Sequence, residues 1–252
     1  MGFDLNEDVE AAYQGIIPAI EMFDAPKVRP ASHNFRWVWR VTEEVSPEHI
    51  STCLKKCLES HAALRAVVVP LEDDTVFPFA PHIVLKPSTR WLDMMVRCVR
   101  PVESDEALHA LAKDPKQPFA EACGPCFLSH IIPVSGSQRP GILIAVNHAV
   151  FGAFSITLFL GDLESLLAGT REIPQNRIPY SVFAEMYRLH RDGTAGQISK
   201  NCQLEKFRQL EDVKPCLWPP AKDQRPRVHD RPRQGLEILG RDTRKPRAAS
   251  QP

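Results

Sequence analysis

His148 closes the apolar run Ile142-Leu143-Ile144-Ala145-Val146-Asn147 and is followed by Ala149, Val150, Phe151, Gly152 and Ala153. The β-branched run predicts a buried strand, so the imidazole is expected at a strand end, facing a turn of small residues. Burial there keeps the ring neutral and the backbone can fix its tautomer, which are the conditions for a general base. The plainer alternative is a core histidine with one hydrogen bond, and spacing by itself favours that alternative.

Cys123-Gly124-Pro125-Cys126 has the spacing of a dithiol redox site. That chemistry requires the first thiol at a helix N-terminus, where its pKa falls. Phe127 to Val134 instead predicts a strand, and 114–120 holds two prolines and no strand pattern. No second cysteine pair follows at zinc-ligand spacing, so neither redox nor metal function is expected. Cys53 and Cys57 lie one turn apart in a predicted helix and read as core filling.

These residues need elements to position them. Glu7 to Phe23 is weakly amphipathic and broken at Pro18, whereas His33 to Val41 alternates Phe35, Trp37 and Trp39 with polar neighbours, as a strand with an aromatic face does. Ser46-Pro47 opens a helix whose buried stripe is Ile50, Leu54, Cys57 and Leu58. Strands are predicted at Ala62 to Val69, His82 to Lys86, Phe127 to Val134 and from Ile142, and helices at Ser104 to Lys113, Ser155 to Leu167, Ser181 to Arg191 and Asn201 to Leu210. The order predicts an α/β two-layer sandwich rather than a regular nucleotide-binding repeat.

Thirty-one basic side chains balance thirty-one acidic ones over 252 residues, which excludes a global field for nucleic acid or anionic lipid. Proline is about 9% of the chain against a usual ~5%, so long helices are few. Seven cysteines at irregular spacing fit a reducing cytoplasm. The acidic start Met1-Gly2-Phe3-Asp4 is not a secretory signal. Gly141 to Gly161 carries no formal charge and could span a bilayer, but Asn147 and His148 sit at its centre and Gly152 divides it into a strand-like and a helix-like half. Beyond Pro220, nine basic and four acidic side chains with few large apolar ones predict a disordered basic tail over 221–252, set apart from a folded unit over 1–220.

Residues 115–169 resemble the centre of a condensation domain of fungal nonribosomal peptide synthetases. That family carries a Phe-Asp-like element, a Gly-Pro before a strand, and then His-His-x-x-x-Asp-Gly. Pro118-Phe119, Gly124-Pro125 and Asn147-His148-Ala149-Val150-Phe151-Gly152-Ala153 occupy those places. Ser60-His61-Ala62-Ala63-Leu64-Arg65-Ala66 is similar to the family's upstream Arg-His-x-x-Leu-Arg-Thr. Downstream, Pro179-Tyr180-Ser181-Val182-Phe183-Ala184 and Trp218 resemble later elements. The agreement runs over roughly residues 10 to 220.

The resemblance implies one chloramphenicol-acetyltransferase-like half of a two-half domain, and acyl transfer from a thioester to an amine or hydroxyl. By that likeness His148 orients or deprotonates the nucleophile and Asn147, in place of the first motif histidine, supports the site. Ser155 is a candidate donor near the thioester oxygen, with helix capping as its alternative. The motif Asp-Gly is replaced by Gly152-Ala153. In the family that Asp pairs with an arginine mapping to Arg65, so Arg65 and Gly152 are expected to be structural. Arg65 must then meet water or another carboxylate, with Asp162, ten residues on from Gly152, expected to be too distant. No metal or bound cofactor is implied; a phosphopantetheine thioester would arrive on a carrier protein or as CoA. Partners implied are that carrier, a complementing half-domain or a second copy, with no nucleic acid and no membrane. A working acyltransferase and a non-catalytic, truncated interaction module both remain open.

Overall fold

The computed structural model describes residues 3–15, 33–69, 81–113, 124–170, 172–173 and 178–208. Pro18, Pro118-Phe119, Cys123, Trp218 and the 221–252 tail lie outside them. Contacts divide the chain into Met1–Gln197 and Ile198–Pro252.

Among the described residues seven strands form two sheets. The first, in the order β1 (Val9–Gln14), β4 (Pro81–Leu85), β3 (Ala66–Val68), is antiparallel. The second runs β2 (Asn34–Arg40), β7 (Gly141–Asn147), β6 (Phe127–Ile132), β5 (Val96–Cys98), antiparallel except for the β5–β6 pair. Six helices are described: α1 (Pro47–Ser60), α2 (Thr89–Met95), α3 (Asp105–Lys113), α4 (Ala153–Leu167), α5 (Tyr180–Asp192) and α6 (Thr194–Arg208). This is the mixed α/β architecture expected from the pattern. The apolar stretch 141–161 is a strand, a turn and a helix, and no described helix is long and apolar enough to cross a membrane.

Helix α1 begins as its sequence dictates. Ser46 Oγ accepts the His49 N–H at 3.2 Å, Pro47 takes the first helical position, and Ile50, Cys53, Leu54, Cys57 and Leu58 are buried. Alternation along β7 sends Ile142, Ile144 and Val146 into the main core with α1 and α4, and Leu143 and Ala145 into a smaller core under α3. Gly141 lets Leu108 of α3 close on the sheet, because a Cβ there would lie 2.5 Å from the leucine methyls. Strand β2 follows the same alternation: Phe35, Trp37 and Trp39 face the main core and Val38 the smaller one.

Several elements depart from the sequence-based expectation. Residues 9–14 form a strand rather than part of an amphipathic stretch. Ala62–Arg65 is a 3-10 turn, so the predicted strand shrinks to Ala66–Val68. Helix α2 and strand β5 are additional; at seven and three residues they are too short for periodicity to register. Helix α2 is anchored by Trp91, whose buried indole N–H donates to Asp8 Oδ1 at 2.9 Å.

His130 on β6 has its pKa lowered by burial first and then by the Arg97 and Arg36 charges. Its folded-state pKa therefore lies below the ordinary histidine value of ~6.5, and the unfolded chain binds the proton more readily. Stability is full above that value and falls as pH drops through the window below it. His130→Gln is expected to flatten this acid-side slope, read as urea midpoints at about pH 7, above the window, and at about pH 5, on its acid side. An unchanged slope would remove His130 as its source.

Candidate active site

Strands β2 and β7 pair so that Asn34 lies opposite Asn147. Asn147 Nδ2 donates to Asn34 Oδ1 at 2.8 Å, and Asn147 Oδ1 accepts the Ala149 N–H at 2.8 Å. Its backbone N–H donates to the Cys126 carbonyl at 2.8 Å. Asn147 is only 1% exposed, so both ends of its amide shape the turn after β7 instead of facing solvent. The turn continues with the Val150 N–H on the Asn147 carbonyl and the Phe151 N–H on the His148 carbonyl.

His148 stands at the head of that turn and is half-buried. Its backbone N–H donates to the His33 carbonyl at 2.7 Å. Its ring tilts against Phe35 at 4.8 Å and lies 6.2 Å from the ring of His33. Nδ1 is buried with no hydrogen-bond partner, which leaves Nε2 as the nitrogen open to a reactant. Two clefts stand out among the described residues, one of about 370 Å³ beside Ser46 and Pro140 and one of about 490 Å³ between β1 and α5. His148 lines neither.

Gly152 is the N-cap residue of α4, in extended backbone. The nearest neighbour of a Cβ placed there would be Ser155 Oγ at 4.0 Å, so nothing steric demands glycine. Ser155 Oγ accepts the Gly152 N–H at 3.2 Å, the reach-back half of a capping box made from the third helical position. Ser155 thus starts the helix that follows the His148 turn.

Arg65 lies in the 3-10 turn, 2% exposed. Its Nε donates to the Leu58 carbonyl at 2.9 Å, its Nη2 to the Glu59 carbonyl at 3.3 Å, and its Nη1 to both the Leu85 carbonyl and Glu10 Oε2, the latter at 2.7 Å. The carboxylate that meets it is therefore Glu10 of β1, 55 residues upstream. Asp162 faces another partner: its Oδ2 lies 2.7 Å from His61 Nε2, beneath Phe159. Neither pairing had a sequence signal beyond the motif that holds His61 and Arg65. None of the hydrogen bonds described for Arg65 reaches residues 147–155.

Gly124-Pro125 joins the two sheets, since Pro125 bridges to Val67 of β3 while the Cys126 carbonyl takes the Asn147 N–H. Cys126 precedes a strand and is 1% exposed, and burial pushes its thiol up to about 12. A thiol held so far from thiolate is not a nucleophile at neutral pH. Among the described residues no cluster of histidine, cysteine or carboxylate side chains could hold a metal ion.

Solved structures share this fold. The starter condensation domain of rhizomide synthetase superposes with a TM-score of 0.63 at 13% identity, over 78% of this chain and 48% of its own length. The condensation domain of the monacolin K polyketide synthase gives 0.58 at 13% identity, over 79% of this chain and 43% of that one. The first condensation domain of the calcium-dependent antibiotic synthetase, in complex with a substrate analogue, gives 0.59 at 12% identity, over 80% and 49%. The fold is that of a condensation-domain half. The chain spans less than half the length of these condensation structures, as a partial domain does. No family model matches the sequence and no curated protein matches it. The condensation likeness therefore rests on fold and on the motif order, not on overall identity.

Proposed function

We propose that this condensation-like chain contributes the histidine-bearing half of an acyl-transfer site, acting on a thioester presented by a carrier protein or as CoA. The observation that carries the reading is His148, half-buried at the end of β7 with Nδ1 enclosed and Nε2 left as the open nitrogen. An amine or hydroxyl attacks the thioester carbon, the new C–N or C–O bond forms, and the C–S bond breaks. His148 Nε2 takes the proton lost by the nucleophile and returns it to the departing sulfur as a thiol. Asn147 and Asn34 hold the turn that carries the ring, Ser155 and Gly152 start the helix behind it, and Arg65 ties β1 and β4 to α1. A second half-domain, in the same polypeptide or another, completes the water-excluding enclosure and registers the two substrates, which supplies much of such a rate enhancement.

A second reading, a non-catalytic module that binds a synthetase or carrier protein, is favoured by Gly152-Ala153 in place of Asp-Gly and by the placing of both described clefts away from His148. The deciding experiment gives the purified full chain an acyl-N-acetylcysteamine thioester with an amine or an alcohol and follows products by mass spectrometry. Amide or ester formed faster than in buffer supports the acyltransferase. Thioester binding without product supports the binding module.

A further inference from the structure

His33 is the one non-glycine residue among those described whose backbone is left-handed, with φ at 60°. Such a conformation is disfavoured for a side-chain-bearing residue and persists only where its surroundings impose it. Here the imposing contacts come from the candidate site itself. The His33 carbonyl receives the His148 N–H at 2.7 Å, and the next residue, Asn34, is locked to Asn147 through both register and side chain. Two consecutive residues at the end of β7, Asn147 and His148, are thus answered by two at the entry to β2, Asn34 and His33. The result is an exposed imidazole whose ring centre lies 6.2 Å from that of His148, tilted by 36°. Phe35 packs against His148 at 4.8 Å. No described hydrogen bond joins the two imidazoles, which stand side by side at the open end of the β2–β7 pair. Position 147 cannot supply such a group, since Asn147 is buried and its amide is engaged at both ends.

The geometry points to His33 as a second substrate-contacting imidazole, whose N–H donates a hydrogen bond to the thioester oxygen as negative charge builds there. This rests on the acyltransferase reading. His148 accepts the nucleophile's proton and returns it to sulfur; His33 keeps its own proton throughout and changes only the strength of one hydrogen bond. A donor aimed at a developing oxyanion acts on kcat more than on KM.

Glycine at position 33 relieves the left-handed backbone, so His33→Gly is expected to raise the urea midpoint while lowering kcat about 100-fold with KM little changed. His33→Asn, which tolerates the backbone and retains an N–H, is expected to fall between the two. A kcat for His33→Gly within about threefold of the parent overturns the assignment, because loss of an oxyanion donor is far larger. Carbethoxylation by diethyl pyrocarbonate, mapped by peptide mass spectrometry with and without octanoyl-N-acetylcysteamine, decides the matter without turnover. Protection of both His33 and His148 supports the pair. Protection of His148 alone overturns the role of His33 and leaves the acyltransferase reading standing. Protection of neither, with no product formed, overturns both.

Discussion

Replacing Arg65 with methionine is expected to remove about 3–5 kcal/mol of folding stability, the loss typical when one member of a buried charged network is deleted. Methionine keeps most of the aliphatic volume, so the loss comes from polar groups and not from a cavity. The carbonyls of Leu58 and Leu85 would each lose a donor in the interior, at about 1–3 kcal/mol apiece when nothing replaces it. Glu10→Gln tests the other end of the same contact. Glutamine keeps an acceptor oxygen at that place, and the Leu58, Glu59 and Leu85 carbonyls still accept from the buried guanidinium, so this loss is expected to be smaller than that of Arg65→Met. Urea denaturation of both variants gives the comparison. A large loss in Glu10→Gln with a small one in Arg65→Met would mean that the carboxylate, not the carbonyls, holds the guanidinium in place. Against a total of ~5–15 kcal/mol for a domain, the Arg65 loss is large enough to lower soluble yield.

The second large effect concerns chemistry. His148→Ala is expected to lower acyl-transfer turnover about 100- to 10,000-fold, the range for loss of a positioned general base. The effect should fall on kcat, since proton removal accompanies bond formation and contributes little to ground-state binding. Folding should change less, because the backbone N–H that meets the His33 carbonyl survives any side-chain substitution. Removing the ring also removes an unpartnered buried nitrogen, Nδ1, which offsets part of the lost packing against Phe35. Turnover unchanged in His148→Ala would take the imidazole out of the reaction and leave the fold relationship intact. Asn147→Ala should show the opposite balance. Its amide joins Asn34 to the Ala149 N–H inside the protein, so stability should suffer first and rate only through the turn.

Much of this was legible along the chain. The alternation in Asn34–Arg40 and the apolar run before His148 encode neighbouring strands, and the register between them follows from which face each must bury. The Ser46-Pro47 start of α1 is equally local, and so is the helix after Gly152. Strand β1 escaped because Ala11, Ala12 and Gln14 give alternation almost no hydrophobic contrast. The partner of Arg65 could not be inferred, because Glu10 and Arg65 meet only once β1 has paired with β4, a fact of topology with no short-range signal. Asn147 adjoins His148 in the chain, but its amide turns to Asn34 of the neighbouring strand, which spacing cannot reveal. His33 carried no mark at all in sequence; its interest arises from a backbone angle imposed by β7.

The aromatic face of β2 has a practical consequence. Phe35 stacks on Trp37 at 5.3 Å and Trp37 on Trp39 at 6.0 Å, with Phe35 also touching the His148 ring. Two indoles so close share their excited states, and one phenyl ring separates them from the imidazole. A molecule settling on His148 must press on Phe35 and through it on Trp37, so emission intensity and near-ultraviolet dichroism become an optical gauge of occupancy that needs no added dye.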